Sequence, residues 1–282
     1  ALTTGAHNTF LGTTTGDDMV EGSYNIAIGS DALGGAKDGT ADSSQFNIFM
    51  GVNSGNGAWV TAVSQYNVGV GSYTLDGAMN GALNNTAVGH KGLSAITTGD
   101  NNTAIGFEAG LKINSGEANV IIGKSAGDAL TSGDLNTAIG YFALSTSTDV
   151  DRVVAIGTEA MEAGNVTSDA DGTVAIGSKA LQNLTTGQRN IAIGFEALKT
   201  ATELDENLAI GYRALQDASG SAGTGHNLAI GSLAGKDVTS GQFNVLIGRS
   251  AGDQQTTADA NTYIGYFAGY NTISGSENVF IG

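Results

Sequence analysis

Asn190-Ile191-Ala192-Ile193-Gly194, followed by Phe195-Glu196-Ala197-Leu198, is the stretch on which the fold of this chain turns. Period-two alternation sets Ile191 and Ile193 on one face of a short strand and Ala192 on the other. The glycine that closes the strand admits backbone conformations closed to other residues, as a tight corner requires. Working outward, the same Asn-x-Ala-Ile-Gly grammar recurs at 25–29, 85–89, 102–106, 136–140, 207–211 and 227–231, and more loosely at 119–123, 244–248, 261–265 and 278–282. The closing glycines run from Gly12 to Gly282 in sixteen copies, and ten of the fifteen spacings are 17 residues. The remaining spacings are 22, 20, 18, 20 and 20, so insertions lengthen a unit without breaking the register.

Seventeen residues with glycine at fixed points cannot hold two packed helices. One short strand, a turn, a second brief extended piece and a glycine turn make one coil of a solenoid. The expectation is an all-β protein: a parallel β-solenoid of about 16 coils with a 17-residue repeat, in which stacking supplies the core no coil has alone. At ~4.8 Å per step, fifteen steps would give a rod on the order of 70 Å long. The fourth position of the unit is aliphatic or Met throughout, from Leu11 and Met50 to Ile281, and reads as buried core. The small position before it (Ala104, Ala138, Ala155, Ala175, Ala209) reads either as a smooth face open to a neighbouring chain or as tight packing inside the coil.

Fourteen units begin on asparagine: Asn8, Asn25, Asn47, Asn67, Asn85, Asn102, Asn119, Asn136, Asn190, Asn207, Asn227, Asn244, Asn261 and Asn278, with Val153 and Thr173 as exceptions. A residue repeated at every coil answers an architectural need, so these read as a stacked, hydrogen-bonded ladder rather than a sugar or metal site. Residues 1–282 form one repeat domain whose first 89 residues hold the most irregular spacings, and neither end reads as a cap, so a segment of a longer fibre is expected.

Composition narrows the partners. Among 282 residues, 27 are acidic and 11 basic, giving a formal charge of −16 and a pI near 4.2. Such a surface repels nucleic acid and anionic membranes, so neither is an expected partner. No apolar run approaches the roughly 18 residues of a spanning helix, so no direct membrane insertion is expected. The absence of cysteine excludes a disulfide framework, a thiolate metal site and a Cys nucleophile.

The units resemble the head repeats of trimeric autotransporter adhesins and related phage tail-fibre repeats, on pieces such as Asn102-Thr103-Ala104-Ile105-Gly106-Phe107-Glu108-Ala109 and Asn227-Leu228-Ala229-Ile230-Gly231. The resemblance covers essentially the whole chain. It implies a left-handed parallel β-roll, three chains side by side as a homotrimer, and a non-enzymatic, extracellular role on a cell surface or virion, as spacer and as attachment to host-cell surface glycan or protein. This chain departs from the family in its longer 17-residue unit, in Asn where Ser is common, and in showing neither coiled-coil stalk nor membrane anchor. A ring of three would also shield strand faces that invite aggregation.

Candidates for chemistry are few. His7, His90 and His226 fall at different offsets with no recurring Ser or carboxylate partner. Asp169 and Asp171 in a lengthened unit, like Asp38 and Asp42 in another and Asp149 and Asp151 at the end of a normal-length one, carry the oxygen ligands calcium takes. None completes an EF-hand or a nonapeptide calcium repeat, so solvated acidic turns are the plainer reading and no cofactor is expected. Aromatics after the glycine (Phe107, Tyr141, Phe195, Tyr212, Tyr266) could form a sugar-stacking row or pack between coils or chains. Trp59, in an insertion-bearing unit, is either a plug or a contact tip. Two alternatives to the fibre remain: a tailspike with glycan-processing activity, for which Glu108, Glu159 and Glu196 are the recurring carboxylates, and an ice-binding solenoid built on Thr pairs such as Thr97-Thr98 and Thr185-Thr186.

Overall fold

The computed structural model describes residues 4–17, 19–35, 43–59, 62–164, 166, 170–221 and 223–282. The chain forms two compact units, residues 1–136 and 137–282. Each repeat contributes one three-residue strand. In the first unit these are β1 (Thr9–Leu11), β2 (Ile26–Ile28), β3 (Ile48–Met50), β4 (Val68–Val70), β5 (Thr86–Val88), β6 (Thr103–Ile105) and β7 (Val120–Ile122). In the second they are β8 (Thr137–Ile139), β9 (Val154–Ile156), β10 (Val174–Ile176), β11 (Ile191–Ile193), β12 (Leu208–Ile210), β13 (Leu228–Ile230), β14 (Val245–Ile247), β15 (Thr262–Ile264) and β16 (Val279–Ile281). Within each unit every strand pairs in parallel with the next in sequence and without slippage: Ala87, Ala104 and Ile121 are consecutive partners in one, Ala175, Ala192 and Ala209 in the other. The fold is a parallel β-solenoid with one coil per repeat.

Hydrogen bonds between coils continue past the strands and around the corners. Gly106 N–H donates to the Val88 carbonyl, Glu108 N–H to His90, and Gly110 N–H to Ala126, all within 3.0 Å. The corners depend on left-handed backbone, which each coil uses at three places: the residue before the asparagine and the second and fourth after the glycine. In the coil of β11 these are Arg189, Glu196 and Leu198, with φ of 51°, 55° and 51°. An L-residue gives up roughly 1–2 kcal/mol at each, and the inter-coil hydrogen bonds hold them there.

The closing glycine has a second reason to be glycine. At Gly106, φ is 138°, and a Cβ would stand 2.5 Å from the carbonyl oxygen of Gly123 in the next coil. The glycines thus form a column in which each backbone rests directly on the one below.

The expected parity of the strand is reversed. The central residues are buried (Ala27, Phe49, Ala104, Ile121, Ala192 and Tyr263 are all 0% exposed), while the aliphatics on either side lie on the outer surface. Ile26, Val88, Ile105 and Ile191 keep 37–41% of their surface accessible. The reason is volume. The coil interior already receives an Ala and a Leu or Met from the corner after the strand, such as Ala197 and Leu198, and an apolar residue from the next corner, such as Ile96, Ile113 or Leu184. What remains opposite them fits one small side chain, not two β-branched ones.

That shared volume sets a rule between two positions six residues apart. Where the strand centre is large, the corner residue is glycine: Phe10 with Gly16, Phe49 with Gly55, Ile121 with Gly127, Leu246 with Gly252, Tyr263 with Gly269. A Cβ on those glycines would stand 2.4–3.1 Å from the paired side chain. Where the centre is small, the corner is usually Leu or Met, as in Ala138 with Leu144 and Ala155 with Met161.

Candidate functional site

The repeated asparagines, buried except for the half-buried Asn8 and Asn278, are joined into a column within each unit. Asn102 N–H and Nδ2 both donate to Asn85 Oδ1, at 2.9 and 3.1 Å, and Asn102 Nδ2 also donates to the Gly116 carbonyl at 2.7 Å. Asn119 repeats this on Asn102 and Gly133. Backbone-to-Oδ1 bonds link Asn8, Asn25, Asn47, Asn67, Asn85, Asn102, Asn119 and Asn136 in the first unit, and Asn190, Asn207, Asn227, Asn244, Asn261 and Asn278 in the second. These amides bond to protein and face inward, away from any ligand. At Val153 and Thr173 the column carries no amide, and Thr173 Oγ1 is buried without a hydrogen-bond partner among the described residues.

Function must therefore be sought on the outside, where the most extended feature is the outer face of the strands. Each strand offers two outward side chains. No charged residue occupies any of these positions, and the only polar ones are Thr9, Thr86, Thr103, Thr137 and Thr262. Across the nine strands of the second unit this row of outward side chains is aliphatic except at Thr137 and Thr262. Soluble monomers rarely leave more than a few hundred Å² contiguous.

Two columns of larger side chains border this face. The leading rim is the residue before each asparagine. There His7, Tyr24, Phe46 and Tyr66 stack ring on ring at centroid separations of 4.8, 5.0 and 5.1 Å, and His226 stacks on Phe243 at 5.1 Å. The trailing rim follows the closing glycine. There His90 stacks on Phe107 at 5.4 Å and Lys124 Nζ lies 5.9 Å from the Phe107 ring centre, while Tyr73, one position further from its glycine, meets His90 edge-on. In the second unit Phe195 stacks on Tyr212 at 5.5 Å, with the Arg213 guanidinium 5.0 Å over Tyr212. The proposed contact aromatics Phe107, Tyr141, Phe195, Tyr212 and Tyr266 all lie on the trailing rim, 42–62% exposed. Phe107 has one face against His90 and the other under Lys124, so it shows a sugar its edge. The leading-rim column escaped sequence reading, although an aromatic before the asparagine in three successive units (Tyr24, Phe46, Tyr66) was its signal; the insertions between them hid the period.

Trp59 is withdrawn as a ligand contact. It is fully buried, edge-on to Phe49 at 5.7 Å, and plugs the interior beneath an insertion. Of the two weak metal candidates, Asp169 lies outside the described residues and Asp171 is paired with Arg152. Among the described residues no three His, Asp or Glu side chains are grouped to hold a metal ion, and no pocket is present. The recurring glutamates are held by cations: Glu108 lies 3.9 Å from Lys91, Glu159 lies 3.5 Å from Lys179, and Glu196 sits between Lys199 and Arg213 at 2.9 and 2.8 Å. The Lys199 hydrogen bond, with Arg213 adding to it, holds the Glu196 carboxyl below its usual range. His226 faces Glu206 at 3.5 Å. Threonine hydroxyls at the far corner donate to the next coil: Thr97 to Asn114 O, Thr185 to Thr202 O and Thr239 to Thr256 O, at 2.9–3.0 Å.

Comparisons with protein-family models, with curated proteins and with solved structures returned no match. Among the described residues no helix is long and apolar enough to cross a membrane.

Proposed function

We propose that this chain is a non-enzymatic repeat segment of an extracellular fibre, on a cell surface or a virion, that works as a spacer and attachment element and associates with copies of itself as a homotrimer. One observation carries the reading: an aliphatic sheet face without a single charge, on a protein of net charge −16. A standard stable interface takes ~800 Å² per partner, and a repeated chain offers the same face at every level, which suits a symmetric assembly of copies. The resemblance to trimeric adhesin heads supplies the number three and the left-handed roll. The rims, exposed at the border of that face, are where a host-surface glycan or protein would be met. Against the glycan-processing alternative, Glu108, Glu159 and Glu196 are tied up in ion pairs. Against ice binding, the leading hydroxyl of each Thr pair is spent on the next coil.

The test is molar mass in solution by light scattering. Three chains of 28.2 kDa would give about 85 kDa, and Ile193→Lys with Ile210→Lys should reduce the mass to that of one chain while leaving the circular dichroism spectrum unchanged. A 28.2 kDa particle for the unaltered chain would overturn the reading.

A further inference from the structure

Where the asparagine column is interrupted, before β9 and β10, polar groups that the amide serves elsewhere are left facing one another in the interior. In an unbroken coil each amide has three partners. Asn85 Oδ1 accepts from Asn102 N–H and Nδ2, and Asn85 Nδ2 donates to the Gly99 carbonyl, seven residues before the next closing glycine. The same places around Thr173 belong to Asn190 N–H and Nδ2 and to the carbonyl of Gly187, seven residues before Gly194. Asn190 Nδ2 gives one hydrogen to the Leu204 carbonyl. Its other hydrogen, Asn190 N–H and the Gly187 carbonyl have no partner among the described residues, and neither has Thr173 Oγ1. Thr173, Gly187 and Asn190 are all buried. Native interiors seldom leave even one such group unpaired.

The coils do not close up around the different side chain. Val154 N–H meets the Thr173 carbonyl at 3.0 Å and Val174 N–H the Asn190 carbonyl at 2.8 Å, against 2.8 Å for Thr103 N–H to Asn119 in the unbroken column. The spacing an amide needs is therefore kept. Threonine has one non-hydrogen atom fewer than asparagine, and its oxygen is bonded to Cβ, one bond short of where Oδ1 stands. The difference between the two side chains is a single polar atom.

We propose that one internal water molecule binds at this level, beside Thr173 Oγ1, accepting from Asn190 and donating to the Gly187 carbonyl. The chemistry of the site selects water. The N–H donors of Asn190 disfavour a cation, and the Gly187 carbonyl disfavours an anion. Water is both donor and acceptor, and internal waters make about three hydrogen bonds to groups of this kind. Thr173 Oγ1 supplies the third, in either role. Val153, one coil earlier, has no oxygen with which to complete such a site. The water replaces an amide of the column, so the hydrogen-bonded ladder runs on into Asn190 and Asn207. The site is built within one chain and stands whether or not copies associate.

Three forms of the full chain test it. A crystal structure of the unaltered chain should show an ordered oxygen within ~3.2 Å of both Asn190 N and Thr173 Oγ1. In Thr173→Asn that oxygen should be gone, with the new Oδ1 accepting from Asn190. Thr173→Val is nearly isosteric and removes only the hydroxyl. With circular dichroism confirming the fold, it should speed hydrogen exchange at the Asn190 amide by about tenfold or more and lower the urea midpoint. No ordered oxygen in the unaltered chain overturns the proposal, as does one that persists beside the new amide in Thr173→Asn. A Thr173→Val chain whose Asn190 amide exchanges no faster, or whose urea midpoint rises, also overturns it, because relief on removal marks a hydroxyl buried with nothing to bond. The two crystal structures decide the question even where Thr173→Val does not fold.

Discussion

Gly106 and Asp76 show how little freedom a single residue has in a coil stacked ~4.8 Å from its neighbours. A methyl group on Gly106 would meet the Gly123 carbonyl at 2.5 Å while forcing φ of 138° on an L-residue. The partner is backbone, held by its own hydrogen bonds, and cannot yield. Gly106→Ala should therefore cost about 3 kcal/mol or more, read as a fall in the urea midpoint; a loss below about 0.5 kcal/mol would mean that adjacent coils part easily. Asp76 is strained electrostatically instead. Burial pushes its carboxyl up to about 6, a rise only partly offset by a hydrogen bond from the Asn56 backbone. A folded-state pKa above the unfolded value means that the folded chain binds the proton more tightly. The contribution of this residue to stability therefore improves as pH falls from 7 through 6 toward about 4, the reverse of a salt-bridged aspartate. Asp76→Asn should stabilise at pH 7 by about 1 kcal/mol, discounted for the partial exposure of the group, and the advantage should vanish by about pH 4. A constant difference between variant and parent across that range would show that the carboxyl is not under pressure.

The coil is the element of this fold, and its interior behaves as a single volume filled from two sides. Ile121 and Gly127 share that volume, and a Cβ on Gly127 would lie 3.1 Å from Ile121 Cδ1. Ile121→Ala alone should cost about 2–4 kcal/mol through the cavity it leaves, and Gly127→Leu alone about 1–3 kcal/mol through overpacking. Together they recreate the Ala138–Leu144 arrangement, and Leu144 already tolerates φ of 55° at that corner. The double variant should then recover most of both losses; additive losses in a double-mutant cycle would refute the shared volume. This coupling also marks what could and could not be read from the residues. The strand positions, their parallel register and the 17-residue step follow from Asn-x-Ala-Ile-Gly, because glycine and asparagine fix each corner. Which face points inward does not follow, because Ala192 and Ile191 are both apolar and alternation alone cannot rank them. Interior volume decides, and that depends on Ala197 and Leu198 arriving from beyond the turn. The leading rim stayed hidden for a related reason: Tyr24, Phe46 and Tyr66 are neighbours only after insertions of unequal length have been removed.

At the scale of the whole molecule, two forces oppose each other. The aliphatic face favours the association proposed above, while each chain would bring a net charge of −16 to it. Cations are largely committed locally, as where Lys179 and Arg213 serve Glu159 and Glu196, so the remaining field is negative and extends from every copy. At ~0.01 M ionic strength that field reaches about 30 Å, across a whole neighbouring chain; at ~1 M it reaches about 3 Å, less than one coil. Burial of apolar surface is not weakened by salt in this range and is strengthened by strongly excluded salts such as sulfate. Self-association should therefore tighten at least tenfold between ~0.01 and ~0.5 M sodium chloride, and sulfate at equal ionic strength should exceed chloride. Sedimentation equilibrium across that series is the measurement. Association that weakens with salt would place ion pairs, not the Ile and Val columns, at the centre of the contact. Ile193→Lys with Ile210→Lys then serves as the internal check, because salt should relieve its charge repulsion without restoring the aliphatic surface, and its mass should stay that of a single chain throughout.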